Sequence, residues 1–332
     1  IDDVYDDEAS VKPNIKSSKK DDCIEATVME HLKHDNHRTA LNYLISLKGG
    51  EGMKNGKFRR QVADSMVNVA ISAEEVHKIN LATDAYEEAR AIFKVDKDSG
   101  GNAKLAVRGC IKINKLQAKE MESVQDYDSA ISHRTKVYQF LDENNRTVPA
   151  CQQQVKIAYL HAENDDYAKS VEALHAAIRR LHKGAKSVAY MASNRVDLLI
   201  RCHEMLAICY AKSKKWNDAV DQYDEVLPLI LKKEGQGGKQ YNSVLIRKSA
   251  LLVMTGNYVM ATPTINKYLK NAEDSDQDLI VDGLDHALAL DTNAATHLKL
   301  NNVGKAISVF ERKLAFVKTL PNNNQMKSDT MH

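Results

Sequence analysis

The stretch HEMLAICYAKSKKWNDAVDQYDEVL, residues 203–227, contains the clearest structural pattern in the chain. Two small residues, Ala207 and Ala219, stand twelve positions apart, and the apolar residues Tyr223 and Val226 follow the second one at four and seven positions. Helices pack closely only where small side chains lie at the contact, because bulky ones push the helix axes apart. The pattern therefore predicts two antiparallel helices joined by a short polar turn.

The same frame occurs at six other places along the chain. Alanine fills six of the seven second positions and five of the seven first positions. The second positions follow one another at intervals of 40 to 49 residues. A small residue at each helix contact, repeated at such a period, is typical of arrays of helical hairpins. The pairs are Val28 and Ala40, Ala70 and Ala82, Ala118 and Ala130, Ala158 and Ser170, Ala207 and Ala219, Ser249 and Ala261, and Ala294 and Ala306.

This pattern resembles the tetratricopeptide repeat (TPR) superfamily, here with helices extended beyond the standard period of 34 residues. The resemblance covers residues 22–318 and implies an all-α fold, an α-solenoid of about seven antiparallel hairpins. Residues 1–21 combine acids and lysines without apolar periodicity, and residues 319–332 are polar, so we expect both to be tails. Pro263 lies inside the second helix of the sixth hairpin, and we expect that helix to start late or to kink.

Composition narrows the class of function. The 332 residues include 47 Lys and Arg against 45 Asp and Glu, and a net charge of +2 argues against nucleic acid or an anionic membrane as the main partner. No apolar run approaches the 18 or so residues of a membrane helix, and residues 1–20 do not resemble a signal peptide, so we expect a cytoplasmic protein without a membrane span. Five scattered cysteines indicate reduced thiols: Cys23, Cys110, Cys151, Cys202 and Cys209.

Two groups of side chains have the spacing of metal sites, and a simpler interpretation accounts for each. His31, His34 and His37 follow helical spacing, but no Cys or acid completes a tetrahedral zinc set. We interpret them as exposed histidines at the boundary between a helix and a turn. Cys202 and Cys209 would share one helix face, and we interpret them as small apolar packing residues.

The chain also lacks the patterns of common catalytic sites. Two Gly-rich loops, residues 49–57 and 235–239, end in Gly-Lys, but neither has the earlier glycine or the following Ser or Thr of a Walker phosphate loop. No nucleophile elbow, metalloprotease motif or catalytic carboxylate pair is present. We therefore expect no enzymatic activity, no cofactor, no metal and no small-molecule substrate.

Similarity to the TPR superfamily implies which residues face the concave groove that the first helices line. They stand three positions before and one position after the first small residue of each hairpin. Chaperone-tail binders of this superfamily place a Lys–Asn pair there to hold a terminal carboxylate, and no pair here has that composition. The pairs are Glu25 and Met29, Val67 and Ile71, Lys115 and Lys119, Val155 and Tyr159, Glu204 and Ile208, Ile246 and Ala250, and Asp291 and Ala295.

A basic stripe on the first helix of the third hairpin is the strongest candidate binding feature. Lys112, Lys115 and Lys119 recur at helical spacing, and Tyr159 is the aromatic residue predicted to lie one hairpin further along. The stripe could also be an ordinary solvated helix face. As a binding surface it fits an acidic protein segment with an apolar anchor. The candidate groove residues are Lys112, Lys115, Lys119, Val155, Tyr159, Ile208 and Ile246.

These features favour a non-enzymatic scaffold or adaptor that holds segments of partner proteins. The period of about 42 residues is similar to that of kinesin light chains and other cargo adaptors. The alternative is a soluble attachment protein of the vesicle-fusion machinery, which is also a curved array of helical hairpins of about this length. A lid subunit of a large protease complex would close with a winged-helix module, and a quorum-sensing repeat regulator would carry an N-terminal DNA-binding domain. We expect neither module in this chain.

Overall fold

The computed structural model describes residues 22–97, 100–183, 193–235, 238–274 and 283–319. The predicted N-terminal tail, residues 1–21, and residues 320–332 of the predicted C-terminal tail lie outside these ranges, whereas Thr319 is the last residue of the last helix. The described residues form fourteen α-helices and no β-strand, so the prediction of at least twelve helices without a sheet is confirmed. The chain divides into two compact units, residues 1–117 and 118–332, and the boundary falls inside helix α5.

The first unit contains two hairpins and most of a fifth long helix. Helices α1 and α2 pack on each other and on α3, and α3 packs on α4. A short 3-10 helix, Glu51–Lys54, occupies the Gly-rich stretch between α2 and α3. The helices are α1 (Asp22–Lys33), α2 (His37–Lys48), α3 (Gly56–Glu75), α4 (Ile79–Val95) and the part of α5 (Gly101–Ser123) that precedes residue 118.

The second unit continues from the last turn of α5 through nine further helices. Each helix packs on the next from α6 to α14, and α7 also contacts α9 while α11 contacts α13. This stacking of hairpins on their neighbours is that of an α-solenoid, and the predicted fold class is confirmed. The helices are α6 (Tyr127–Glu143), α7 (Thr147–Glu163), α8 (Tyr167–His182), α9 (Ser193–Lys212), α10 (Trp216–Glu234), α11 (Lys239–Met254), α12 (Tyr258–Asp274), α13 (Gly283–Lys299) and α14 (Val303–Thr319).

The fourteen small-residue positions are all buried. Thirteen of them have no solvent exposure, and Val28 is exposed by only 2%. Ser170 and Ser249 stand where other hairpins have alanine, and each satisfies its hydroxyl within the core. Ser170 lies 3.2 Å from the Cys209 sulfur, and Ser249 donates to the Ile246 carbonyl at 2.7 Å. The step of twelve residues therefore marks the packed side of each hairpin.

One turn geometry joins the two helices of all seven hairpins. The residue seven positions after the first small residue has a positive φ, between 57° and 59° in six hairpins and 77° at Gly256. The second small residue follows it by five positions. The seven residues are Asp35, His77, Gln125, Asp165, Lys214, Gly256 and Asn301.

Backbone hydrogen bonds explain why this turn has a fixed length. In the fifth hairpin the Lys215 amide donates to the Tyr210 carbonyl at 2.8 Å, which closes the end of the first helix as in a Schellman motif. The Ala219 amide then donates to the Lys215 carbonyl at 3.1 Å and begins the second helix. The other six hairpins repeat both bonds. The twelve-residue step is therefore seven residues to the left-handed position plus five residues into the next helix.

Helix α12 differs from the expectation based on Pro263. The helix begins at Tyr258 and continues through Pro263 to Asp274, so the expected late start is wrong. Proline removes only the amide that would bond to the Val259 carbonyl, and Val259 is among the most exposed apolar residues of the described chain. Water can reach that carbonyl, and the loss of one bond near the end of a 17-residue helix is tolerated.

No described helix combines the length and the apolar composition needed to cross a lipid bilayer.

Candidate functional site

A concave groove of about 540 Å³ opens on the second unit, and we refer to its lining as the groove. The last turn of α5 and the helices α7, α9 and α11 supply most of this surface, with one residue from α6. The lining residues are Lys119, Glu122, Arg134, Val155, Lys156, Tyr159, Leu160, Arg201, Glu204, Met205, Ile208 and Arg247.

The centre of the groove exposes apolar side chains. Tyr159 on α7 is 51% exposed and Ile208 on α9 is 43% exposed, with the half-buried Val155 and Met205 beside them in the lining. The Tyr159 hydroxyl hydrogen-bonds to Glu163, which raises the pKa of the phenol above its usual value. Exposed tyrosine and isoleucine in a concavity are typical of the apolar anchor sites of protein interfaces.

Positive charge predominates around these apolar residues. The lining contains five cations, Lys119, Arg134, Lys156, Arg201 and Arg247, and two carboxylates, Glu122 and Glu204. Lys119, Arg201 and Arg247 are exposed, whereas both carboxylates are half-buried. The groove therefore presents exposed apolar side chains together with three exposed cations, Lys119, Arg201 and Arg247, which we refer to as the rim cations.

One of the five cations belongs to the framework of the groove. Arg134 is buried, its Nε donates to the Glu122 carboxylate, and its Nη1 donates to the Gln153 side-chain oxygen at 3.2 Å. A buried guanidinium needs such partners because removing it from water is costly. This pair fixes the last turn of α5 to α6 and α7 beneath the binding surface.

Glu204 is the second carboxylate of the groove, and its side chain is half-buried. Burial raises the pKa of its carboxyl above the usual value, while the bond from Gln240 and the charges of Arg247 and Arg201 act in the opposite direction. The Gln240 side chain donates to Glu204 Oε1 at 3.3 Å. The carboxylate therefore partly neutralises the two arginines that lie near it.

The structure brings four of the seven candidate residues together in the groove: Lys119, Val155, Tyr159 and Ile208. Ile246 does not reach it, because its side chain is completely buried in the core between α9, α10, α11 and α12. A residue three positions before the small residue lies only about 60° from it around the helix, whereas the residue one position after lies about 100° away. The earlier position therefore lies at the edge of the packed face. Ile246 is buried there, whereas Val155 and Glu204, at the same position of their hairpins, line the groove.

The sequence reasoning missed a third groove position, two residues before the small residue. Lys156, Met205 and Arg247 hold this position in three successive hairpins, and all three line the groove. Two residues correspond to about 160° around the helix, almost opposite the packed face. The same rotation applied to the alanine pattern could have identified them.

The remaining lysines of the predicted stripe belong to the first unit. Lys112 forms an ion pair with Glu74 of α3, which is itself mostly buried. Lys115 is half-buried. In the first unit the residues one position after the small residue, Met29 and Ile71, are exposed, as Tyr159 and Ile208 are in the second.

The burial of the histidines and cysteines tests the two interpretations of these groups. His37 is buried, and its Nε2 lies 2.9 Å from the Ser72 hydroxyl, so the interpretation as an exposed histidine is wrong for this residue. The first residue of α2 packs against α3, which removes it from solvent. Cys202 and Cys209 are both buried and free. Among the described residues no cluster of three or more His, Cys, Asp or Glu could hold a metal ion.

Solved structures share this fold at low sequence identity. The apo form of RapI aligns over 94% of this chain and 80% of its own, with 14% identity and a TM-score of 0.56. Aspartyl phosphate phosphatase F from Bacillus subtilis aligns over 92% and 76%, with 13% identity and a TM-score of 0.50. YrrB, a TPR protein with an unusual peptide-binding site, aligns over 71% and 94%, with 14% identity and a TM-score of 0.43.

No protein-family model and no curated protein matches the chain. At these identities the likeness to solved structures shows the fold alone, and the predicted TPR-like fold is confirmed.

Proposed function

We propose that this protein is an adaptor that holds a segment of another protein in the groove of its second unit. The observation that carries the proposal is the exposure of Tyr159 and Ile208 at the centre of a concave surface of about 540 Å³. A surface of this size accepts a few side chains of an extended or helical segment, and its apolar centre favours a buried anchor residue.

The charges define the preferred segment. Arg134 and Glu122 are paired with each other, and the four remaining cations against Glu204 favour acidic residues in the ligand, next to an apolar side chain that covers Tyr159. Each exposed pair contributes only about 0–1 kcal/mol, so the rim cations set orientation and association rate. Burial of the aromatic ring sets the lifetime of the complex.

The names of structurally similar proteins do not change the proposed adaptor function. One structural neighbour is named as a phosphatase, but likeness at 13% identity concerns the fold alone. That the chain is not an enzyme stays a prediction, as do its cytoplasmic location and the alternative of a vesicle-fusion attachment protein. No feature of the groove favours that alternative over a general adaptor.

Selection from a library of random peptides tests the ligand chemistry without a known partner. The full chain is the target, and the Lys119→Glu, Arg201→Glu double variant is the counter-target. We expect the enriched peptides to carry Asp or Glu next to an aromatic or aliphatic residue. Enrichment of peptides that bind both proteins equally would show that the groove is not the binding surface.

Kinetics on one selected peptide separate the two contributions. We expect the double variant to reduce the association rate about tenfold at low salt and to flatten its salt dependence. Tyr159→Ala should mainly raise the dissociation rate. The matched control is Lys212→Glu with Lys232→Glu, which makes the same charge change at exposed positions outside the groove. Equal losses in both double variants would leave only a general charge effect and refute the assignment.

A further inference from the structure

A second cavity, of about 490 Å³, lies where α6, α7 and α8 meet, and we refer to it as the edge cavity. None of its lining residues lines the groove. Unlike the groove it is mainly polar. Its lining consists of Tyr138, Asn145, Thr147, Gln154, Ala176, Arg179, Arg180 and Lys183.

The edge cavity concentrates positive charge. Arg179, Arg180 and Lys183 line it, and its lining includes no carboxylate. Arg180 is held in place, because it forms an ion pair with Asp142 and its Nη1 donates to the Tyr138 hydroxyl at 2.8 Å. Asp142 offsets one of the three charges. Arg179 and Lys183 are exposed and form no ion pair with any described residue.

Stabilisation of the α8 C-terminus does not account for the remaining two cations. Basic residues near a helix end commonly interact with its free carbonyl groups. Here Arg195 of α9 performs that role, because its Nη2 donates to the Leu181 carbonyl at 2.5 Å and lies 3.3 Å from the Lys183 carbonyl. Arg179 and Lys183 are thus available to a ligand in the cavity.

The polar groups around the cations suit an anion with several oxygen atoms. The Tyr138 oxygen accepts a hydrogen bond from Arg180, so its own proton is free to be donated. Thr147 offers a hydroxyl and Asn145 an amide at the same surface. The side-chain oxygen of Gln154 is buried without a hydrogen-bond partner, which is unusual for a polar atom in a folded protein.

We propose that the edge cavity binds a phosphate monoester. A dianionic phosphate group matches the two uncompensated cations and can accept from the fixed guanidinium of Arg180 and from the hydroxyl donors. A single carboxylate carries half this charge and offers fewer acceptor positions. The cavity is larger than a phosphate group, which leaves room for the rest of the ligand and for a group that donates to Gln154. The source is a phosphorylated protein side chain or a small phosphorylated molecule.

Titration of the full, isotope-labelled chain with inorganic phosphate at constant ionic strength tests the site. We expect saturable NMR shifts of the Thr147 backbone amide and the Gln154 side-chain amide. The Arg179→Ala, Lys183→Ala double variant should weaken this binding about tenfold or more. The matched control is Lys232→Ala with Lys233→Ala, which removes two cations from the last turn of α10 and should change the affinity less than twofold.

The two sources are distinguished by a phosphoserine peptide and its unphosphorylated form. If the phosphopeptide binds more tightly than inorganic phosphate, the ligand is a protein segment. If the phosphopeptide and inorganic phosphate bind with equal affinity, the ligand is a small phosphorylated molecule. Three results would overturn the proposal: shifts that do not saturate, equal affinity of the Arg179→Ala, Lys183→Ala variant and the wild type, or equal binding of the two peptides. Because none of the residues of the edge cavity lines the groove, failure here leaves the proposed adaptor function standing.

Discussion

The first helices of the second unit carry two faces that follow different rules. On the packed face, every hairpin has Ala or Ser at the small position, and all of these residues are fully buried. On the groove face of the same helices, the next residue is Lys119, Tyr159 and Ile208 in three successive hairpins. Close helix packing allows one size of side chain, so the packed face repeats. The groove face has no such steric requirement, so its residues can differ from hairpin to hairpin and form a specific surface.

Arg134 complicates this division, because it lines the groove and is nevertheless buried. If the pair with Glu122 belongs to the framework, Glu122→Ala leaves a buried guanidinium with only Gln153 as its partner. We expect a loss of about 3 kcal/mol in the free energy of unfolding, measured by urea denaturation. This is the largest effect expected at any groove residue.

The reverse substitution sharpens this expectation. Arg134→Met removes the buried charge and keeps most of the side-chain volume, while the half-exposed Glu122 regains contact with water. We expect a loss of about 1 kcal/mol, smaller than for Glu122→Ala. Equal losses for the two variants would mean that the pair acts as an ordinary surface ion pair, and that the groove face has no buried framework.

The packed face itself is tested by Ala219→Leu. Ala219 has no solvent exposure and lies in one buried cluster with Ala207 and Tyr223, so three added carbon atoms have no space. We expect the free energy of unfolding to fall by about 2 kcal/mol. The control is Ala315→Leu, at an exposed position within α14, which should leave the stability almost unchanged. A similar melting temperature for the two variants would refute the steric requirement.

The repeated small residues predicted the fold because each hairpin needs a small side chain where its helices pack. The position after the small residue follows from rotation about the helix, and Tyr159 there lines the groove. The position three before it does not, since Val155 lines the groove and Ile246 is buried. Single close contacts leave no repeated signal. Gly109 of α5 is one, because a Cβ atom there would lie 2.5 Å from the Tyr86 ring. Neither the Arg134–Glu122 pair nor the edge cavity follows from spacing, since both depend on side chains from different helices.

The sequence predicted short polar turns but not their left-handed geometry, although this geometry sets the twelve-residue step. Left-handed residues are usually glycine or asparagine, yet the seven turns include His77, Gln125 and Lys214, which give no turn signal. The turn is therefore imposed by the two backbone bonds and by packing of the helices on either side. Residues without a preference for this conformation carry a local cost of about 1–2 kcal/mol, which glycine avoids.

This cost gives the smallest of the predicted effects. Substitutions at one turn with a lysine and one turn with a glycine test it. Lys214→Gly should raise the free energy of unfolding by about 0.5–1 kcal/mol, because Lys214 is exposed and forms no ion pair with any described residue. Gly256→Ala should lower it by about 1 kcal/mol, although the added methyl group would meet no atom within 4 Å. Gly304→Ala is the control, since that methyl group also enters open space but the φ angle is not left-handed. If both Gly→Ala variants changed the stability equally, the effect would come from the methyl group and not from the left-handed conformation at Gly256.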